Sequence, residues 1–192
     1  MALHHRHLTI TGWLKFHSAI TYAAPTAPGQ FALQITAKVN GKDTTLFLSK
    51  GLQGGATTPD IKAAAACAIQ DSKLTCEGKS IGVNLGFLNG LATDMGVFEP
   101  ASGNALLNGF VVDGNNVLHW ENKNKQFDKV LGHKDMVANT QLFPNGEAAF
   151  ALYNGLLAGG KTVIYANLGC TNIDHLNAHG NLFNGQIKAI PL

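Results

Sequence analysis

The sequence predicts one all-β domain from Gln30 to Leu192, built as a β-trefoil-like barrel of repeated hairpins, with a β-sandwich or another small barrel as the alternative. Three observations support this fold class. Only 14% of the 192 residues are charged, and Gly is abundant at 22 residues, a composition that favours strands and tight turns over long salt-bridged helices. Short apolar runs alternate with clusters of Gly, Asn and Asp. Similar hairpins recur about every 40 residues.

The first hairpin gives the clearest local signal. Apolar residues alternate at Phe31, Leu33 and Ile35, Asn40-Gly41 follows, and a second strand returns over Thr45–Ser49. Alternation is the period of a strand, and Asn-Gly tolerates the positive φ angles of a two-residue hairpin turn. These residues therefore predict two antiparallel strands joined at Asn40-Gly41.

Later segments share one scheme, an apolar strand, a polar turn and a returning strand. They are Ala68 to Cys76, Phe110 to Trp120, and Phe150 to Gly155 with its return over Thr162 to Ala166. Their turn residues Asp71, Asp113 and Asn154 lie 42 and 41 positions apart. Such a period is typical of repeated supersecondary units. Three hairpin units favour the β-trefoil, while short, evenly spaced strands also fit a sandwich or another barrel.

The cysteines predict one disulfide. If Asp71-Ser72 is a two-residue turn, the flanking strands pair so that Cys67 faces Cys76. That position is a non-hydrogen-bonded pair, where Cα atoms approach to about 4.5 Å, a separation that a disulfide accepts. We therefore expect a Cys67–Cys76 bridge in a secreted protein, with Cys170 left as a buried thiol. Pairing of either cysteine with Cys170, or three reduced thiols in the cytosol, are the alternatives.

Residues 1–29 differ from the rest and predict a degraded leader or a disordered tail. The first seven residues are basic and rich in His, and a mildly apolar stretch over Ile10 to Ala24 is interrupted by Lys15 and His17. Ala23 to Gly29 is rich in small residues and proline, as at a signal cleavage site. The segment favours an extracellular location, and a strand-forming native tail is the alternative.

No catalytic residue, metal site or cofactor is predicted from the histidines. His175 and His179 are four residues apart, the spacing of a helical metal pair, but the residues around His179 read as a loop. His119 and His133 each stand alone in the sequence, which favours a structural or exposed role over catalysis.

The acidic residues give no clear catalytic pair either. Glu99, Asp113, Glu121 and Asp128 would include a glycosidase pair only if two carboxyl groups came within about 5–9 Å of each other. Asp113 is better explained as a turn residue, and Glu121 and Asp128 as residues of a solvated strand or loop.

Two aromatic residues are candidates for ligand binding. Trp120 and Tyr153 occupy related positions just outside hairpin turns, and aromatic rings on a β-protein can stack on sugar rings. Core packing is the competing interpretation, and the favoured one, for both side chains.

Charge and hydropathy exclude two classes of partner. The net charge is +2 at pH 7, and no basic stripe is evident, so a nucleic-acid partner is not expected. No apolar run approaches the roughly 20 residues that a membrane-spanning helix needs.

The two best-matched hairpins resemble those of a known family. Ala68-Ile69-Gln70-Asp71-Ser72-Lys73-Leu74, followed by Asn108-Gly109-Phe110-Val111-Val112-Asp113-Gly114-Asn115-Asn116-Val117-Leu118-His119-Trp120, is similar to the paired hairpin motifs of the fungal PhiA-type secreted cell-wall proteins. The resemblance implies a small secreted protein associated with the cell wall or surface of spore-bearing cells, of a kind reported as antigens. It carries over no catalytic residue.

The expected function is therefore a non-catalytic structural or interaction role at the cell wall, with cell-wall polysaccharide or wall proteins as partners. A lectin-like carbohydrate-binding module is the alternative, because of the hairpin repeat and the placement of Trp120 and Tyr153.

Overall fold

The fold is that of a computed structural model, which describes residues 29–84, 87–88, 91–92, 95–101, 105–121, 147–168 and 180–192. Residues 1–28, on which the prediction of a leader or tail rests, lie outside these ranges. Single turns of 3-10 helix occur at Gln53–Gly55, Ile61–Ala63 and Leu156–Ala158. Among the described residues, no helix is both long enough and apolar enough to cross a membrane.

Strands make up most of the described chain. In sequence order they are β1 (Phe31–Val39), β2 (Lys42–Leu48), β3 (Thr57–Thr58), β4 (Cys67–Gln70), β5 (Lys73–Cys76), β6 (Lys79–Asn84), β7 (Phe87–Leu88), β8 (Leu91–Ala92), β9 (Met95–Pro100), β10 (Ala105–Leu106), β11 (Phe110–Val112), β12 (Leu118–Trp120), β13 (Ala149–Gly155), β14 (Thr162–Asn167) and β15 (Gly180–Pro191).

Eight of these strands form a nearly closed antiparallel barrel. Their order round the barrel is β1, β4, β5, β6, β9, β14, β13 and β15, and β15 pairs back onto β1. The prediction of an all-β barrel is therefore confirmed. The finer prediction, the threefold hairpin repeat of a trefoil, is not confirmed by this strand order.

β1 joins the two ends of the barrel. On one side it pairs with β15 from Phe31 opposite Pro191 to Ala37 opposite Gly185. On the other side it pairs with β2 over most of its length, and it meets β4 at the pair Phe31–Cys67. The inward residues of β1 alternate along the strand, as the sequence predicts, and belong to the main core; they are Phe31, Leu33, Ile35 and Ala37.

The β1–β2 hairpin forms as predicted. Val39 pairs with Lys42, which leaves Asn40 and Gly41 as a two-residue turn. Both turn residues have positive φ angles, 48° and 79°, the conformation that the Asn-Gly dipeptide favours. The strand that was predicted to return over Thr45–Ser49 runs from Lys42 to Leu48.

The β4–β5 hairpin also has the predicted register. Gln70 pairs with Lys73 across the turn at Asp71-Ser72, and Cys67 lies opposite Cys76. The two cysteines are buried and joined as a disulfide, with their Cα atoms 4.0 Å apart. The predicted bridge is confirmed, and Cys170 lies outside the described residues.

The third predicted hairpin forms, but its turn lies later in the chain than predicted. Asn154 was expected to turn the chain, yet it lies within β13 and pairs with Thr162 of β14. The reversal comes later, through the 3-10 turn at Leu156–Ala158 and then Gly159 and Gly160, whose φ angles are 62° and 75°. The Gly-Gly pair therefore supplies the positive φ angles of the turn that the sequence interpretation placed at Asn154.

β11 and β12 form a separate two-stranded sheet, here called the core hairpin (residues 110–120). Its inward side chains, Phe110, Val112, Leu118 and Trp120, all belong to the main core. The hairpin is tied to the barrel through Ser72, whose carbonyl accepts hydrogen bonds from the amides of Gly109 and Phe110. On another side, the amide of Ala189 donates to the carbonyl of Asn116.

Loss of the disulfide should weaken the barrel. Replacing Cys67 and Cys76 together with alanine is expected to lower the free energy of unfolding by about 2–3 kcal/mol, because the bridge closes a short loop in the unfolded chain. Urea denaturation of the double variant and of the oxidised and reduced protein measures this. The double variant is also the control for the reductant: because it has no bridge to reduce, its free energy of unfolding should be the same with and without reductant. A change below about 0.5 kcal/mol would contradict the prediction.

Any side chain at Gly180 should destabilise the fold. A Cβ atom placed there would lie 2.6 Å from the carbonyl oxygen of Asn154 and 2.6 Å from the Cα of Gly155, and backbone atoms cannot move aside cheaply. Gly180→Ala is therefore expected to lower the free energy of unfolding by about 1–3 kcal/mol. Gly51→Ala is the matched control, because its Cβ would meet only Ser49 Oγ at 3.8 Å. Equal stability of the two variants in urea would refute this.

Candidate functional site

The strand alternation of the core hairpin turns His119 away from the core. Its neighbours Leu118 and Trp120 are buried, and His119 pairs across the hairpin with Val111. Successive side chains of a strand point to opposite faces, so an apolar-polar-apolar triplet places the histidine on the outer face. The structure brings two acidic residues to this position, one from the loop of the same hairpin and one from the segment before β13.

Asp113 reaches His119 from the loop of the same hairpin. One carboxylate oxygen of Asp113 accepts hydrogen bonds from the amides of Asn115 and Val117, at 2.9 and 2.8 Å. The residue is therefore a turn residue, as the sequence indicates. Its other carboxylate oxygen lies 3.4 Å from Nε2 of His119.

Glu147 approaches the opposite side of the ring. It lies two residues before β13 and pairs with Glu121 in an isolated backbone β-bridge. Next to it, the amide of Ala148 donates to the carbonyl of Trp120 at 2.9 Å. These contacts bring Oε2 of Glu147 to 3.1 Å from Nδ1 of His119. His119, Asp113 and Glu147 together are here called the His119 clamp.

The carboxylates change the acidity of the histidine. Burial works to lower the pKa of His119, but the hydrogen bond to Glu147, the contact with Asp113 and the negative charges of both outweigh it and raise the pKa above its ordinary value of 6.5. For Asp113, burial works to raise the pKa, and the amides of Val117 and Asn115 and the contact with His119 outweigh it and lower the pKa. The clamp thus favours an imidazolium between two carboxylates.

The clamp places the ring of His119 between two negative groups. In the clamp, both ring nitrogens of His119 face carboxylate oxygens. Within the described residues, no group of three or more His, Cys, Asp or Glu side chains is placed to hold a metal ion.

Trp120, the first candidate for ligand binding, lies in the core. Its side chain is 0% exposed and stacks on Phe110, with ring centroids 4.5 Å apart. Phe98 packs edge-on against the same indole, and the indole N–H donates to the carbonyl of Asn108 at 2.8 Å. A fully buried ring that stacks on one phenylalanine, contacts a second edge-on and is hydrogen-bonded at its nitrogen has the environment of a core residue, the interpretation favoured above.

Tyr153, the second candidate, is also 0% exposed. It belongs to a small separate cluster with Val163 and Tyr165, and the two tyrosine rings lie 5.2 Å apart. Burial raises the pKa of Tyr165, and Tyr153 and Glu99 raise it further. Neither Tyr153 nor Trp120 presents a ring face to solvent in this structure, so a stacking role for either stays a prediction.

The structure describes two of the remaining acidic candidates, Glu99 and Glu121. Glu99 accepts a hydrogen bond from the amide of Gly54 at 3.1 Å, in the 3-10 turn beside the barrel. Glu121 was expected on a solvated strand or loop, but it is buried, with 8% of its surface exposed. The other candidates lie outside the described residues; they are Asp128, His133, His175 and His179.

The sequence interpretation missed the clamp because Glu147 is distant in sequence from the hairpin that holds Asp113 and His119. His119 was treated as isolated, and Glu147 was not considered. One signal was present, since the pairing of 110–112 with 118–120 already places Asp113 and His119 at the same end of one hairpin. Nothing local indicates that Glu147, which is 28 residues beyond His119, returns to this position.

The chain was also compared with protein-family models, with curated proteins and with solved structures, and none of the three comparisons gives a match.

The core position of Trp120 can be tested by fluorescence. In a Trp13→Phe variant, which leaves Trp120 as the fluorophore, iodide should quench emission far less than it quenches free tryptophan, because the indole is enclosed by aromatic rings. Trp120→Ala should lower the free energy of unfolding by about 3–5 kcal/mol. Quenching as efficient as that of the unfolded chain would show that the ring is accessible.

Proposed function

We propose that this protein acts outside the cell as a non-catalytic structural or interaction protein of a fungal cell wall or cell surface. The observation that carries the proposal is the buried Cys67–Cys76 disulfide. Disulfides persist in oxidising, extracellular environments and are rare where glutathione and thioredoxin keep thiols reduced. The position of this bridge, next to the pair at which β1 meets β4, gives it a structural role in the barrel.

The non-catalytic part of the proposal is supported by the His119 clamp. Both ring nitrogens of its histidine are engaged by carboxylates, which is an arrangement for holding a charge rather than for moving a proton to a substrate. The burial of Trp120 and Tyr153 favours a structural role for these rings over the lectin-like alternative.

The cell-wall part of the proposal is supported by the resemblance of the two hairpins to PhiA-type proteins. Those hairpins are β4–β5 and the core hairpin, and they contact each other through the carbonyl of Ser72. The similar segments are thus neighbours in the fold, which fits a shared structural unit.

Fractionation of the producing organism tests the location. The protein is expected in the culture medium or the wall fraction, lighter than its fully reduced form by the mass of two hydrogen atoms. Recovery from the cytosolic fraction with all thiols free would refute the proposal.

Sedimentation with isolated walls tests the interaction. Oxidised protein should co-sediment with fungal walls and not with cellulose. Walls pretreated with protease distinguish protein partners, and walls pretreated with chitinase or glucanase distinguish polysaccharide. Absence of binding to untreated walls would contradict a wall interaction. Retention that depends on polysaccharide and is lost in Trp120→Phe, with the fold intact, would favour the lectin-like alternative.

A further inference from the structure

We propose that the His119 clamp is a pH-sensitive lock, which fastens the core hairpin to the segment entering β13 in acidic solution and releases it as the solution becomes alkaline. This inference concerns the fold itself and does not depend on the proposed cell-wall function.

The lock spans two parts of the chain that are separate in sequence. Asp113 and His119 both belong to the core hairpin, whereas Glu147 precedes β13. The 3.1 Å contact between His119 Nδ1 and Glu147 Oε2 therefore ties one unit to the other. Beside it, the hydrogen bond from the amide of Ala148 to the carbonyl of Trp120 joins the same two segments.

The proton count of the ring decides whether the lock holds. A neutral imidazole has one N–H donor and one nitrogen lone pair, whereas an imidazolium has two donors. Because a carboxylate accepts hydrogen bonds and donates none, His119 can satisfy both Asp113 and Glu147 only when it is protonated. Deprotonation turns one of the two contacts into a lone pair facing a negative oxygen.

The charges around the ring strengthen this dependence. Glu121 lies two residues beyond His119 and directly opposite Glu147 in the bridge, and like charges that face each other across a ladder repel. Among the described residues, Lys188 of β15 lies opposite Val117 and is exposed. The imidazolium supplies the positive charge that lies between Asp113 and Glu147.

The direction of the effect follows from the acidity of the groups. Because the pKa of His119 is raised in the folded protein, its contribution is fully present below the ordinary value of 6.5 and is lost as the pH rises through the higher folded value. The pKa of Asp113 is lowered from 3.8, so its contribution is lost only in more acidic solution. The lock is therefore closed from mildly acidic conditions up to the folded pKa of His119.

Hydrogen exchange on the full chain measures the release. Between pH 5.5 and pH 9, after correction for intrinsic exchange rates, the protection of the Ala148 and Glu121 amides should fall by about two- to tenfold. The Ala148 amide donates to the carbonyl of Trp120 at 2.9 Å, across the two segments, and the Glu121 amide, opposite Glu147, donates to the carbonyl of Gly109 at 2.8 Å. Amides of β1 are the internal control, and their protection should change less, because global unfolding would affect all strands together.

Variants separate the lock from a general pH effect. His119→Gln should abolish the pH dependence of these two amides, and Glu147→Gln should reduce it. Asp113→Asn keeps the acceptor of the turn but removes the charge, so it should also reduce the dependence. Asp60→Asn is its matched control, since Asp60 accepts from the amide of Lys62 in a similar cap and has no part in the clamp.

Two outcomes would overturn the proposal. One is a His119→Gln protein whose Ala148 and Glu121 amides keep the pH dependence of the original protein. The other is an NMR titration in which the His119 ring of the original protein has an unraised pKa. The titration needs no substitution, so it remains decisive if a variant folds poorly.

Discussion

The pairing of β1 on both of its edges is the constraint from which the barrel follows. A strand buried inside a protein must find partners for its amide and carbonyl groups on each side. β1 meets this requirement with β15 on one edge and with β2 and β4 on the other. β1 and β4 meet at a single described pair, Phe31 and Cys67. The disulfide that joins Cys67 to Cys76 of β5 therefore lies where one residue pair links β1 to the next strand of the barrel.

Local turn chemistry accounts for the parts of the fold that the sequence predicts well. Asn40-Gly41 and Asp71-Ser72 each occupy a two-residue turn with positive φ angles, and the turn fixes the register of the strands on both sides. Once that register is set, the alternation of β1 and the opposition of Cys67 and Cys76 follow. The prediction failed at Asn154, where a Gly-Gly pair a few residues later competes for the turn.

The order of strands round the barrel could not be predicted in the same way. Pairing of β14 with β9, or of β15 with β13 and β1, joins segments far apart in sequence, and no local residue pattern specifies such a choice. The His119 clamp belongs to the same class. Hairpin alternation places His119 outward, but the arrival of Glu147 depends on how the chain returns to the barrel.

The burial of Trp120 shows how one residue position can support two interpretations. A tryptophan next to a hairpin turn fits both a sugar-binding platform and a core anchor, and the sequence favours the core anchor. The alternation with Leu118 decides for the core, because both side chains point to the same face. The indole N–H then finds its partner in the backbone of Asn108, so burial leaves no unpaired donor on the ring.

The long ladder between β1 and β15 has a consequence for how the chain folds. Individual hairpins can form as soon as their own residues are available. β1, by contrast, can complete its pairing only with β15, which lies near the other end of the described chain. Contacts of such high contact order form slowly. Until residues 180–191 have been synthesised, the apolar β1 keeps an open edge, which makes the unfinished chain prone to intermolecular strand pairing.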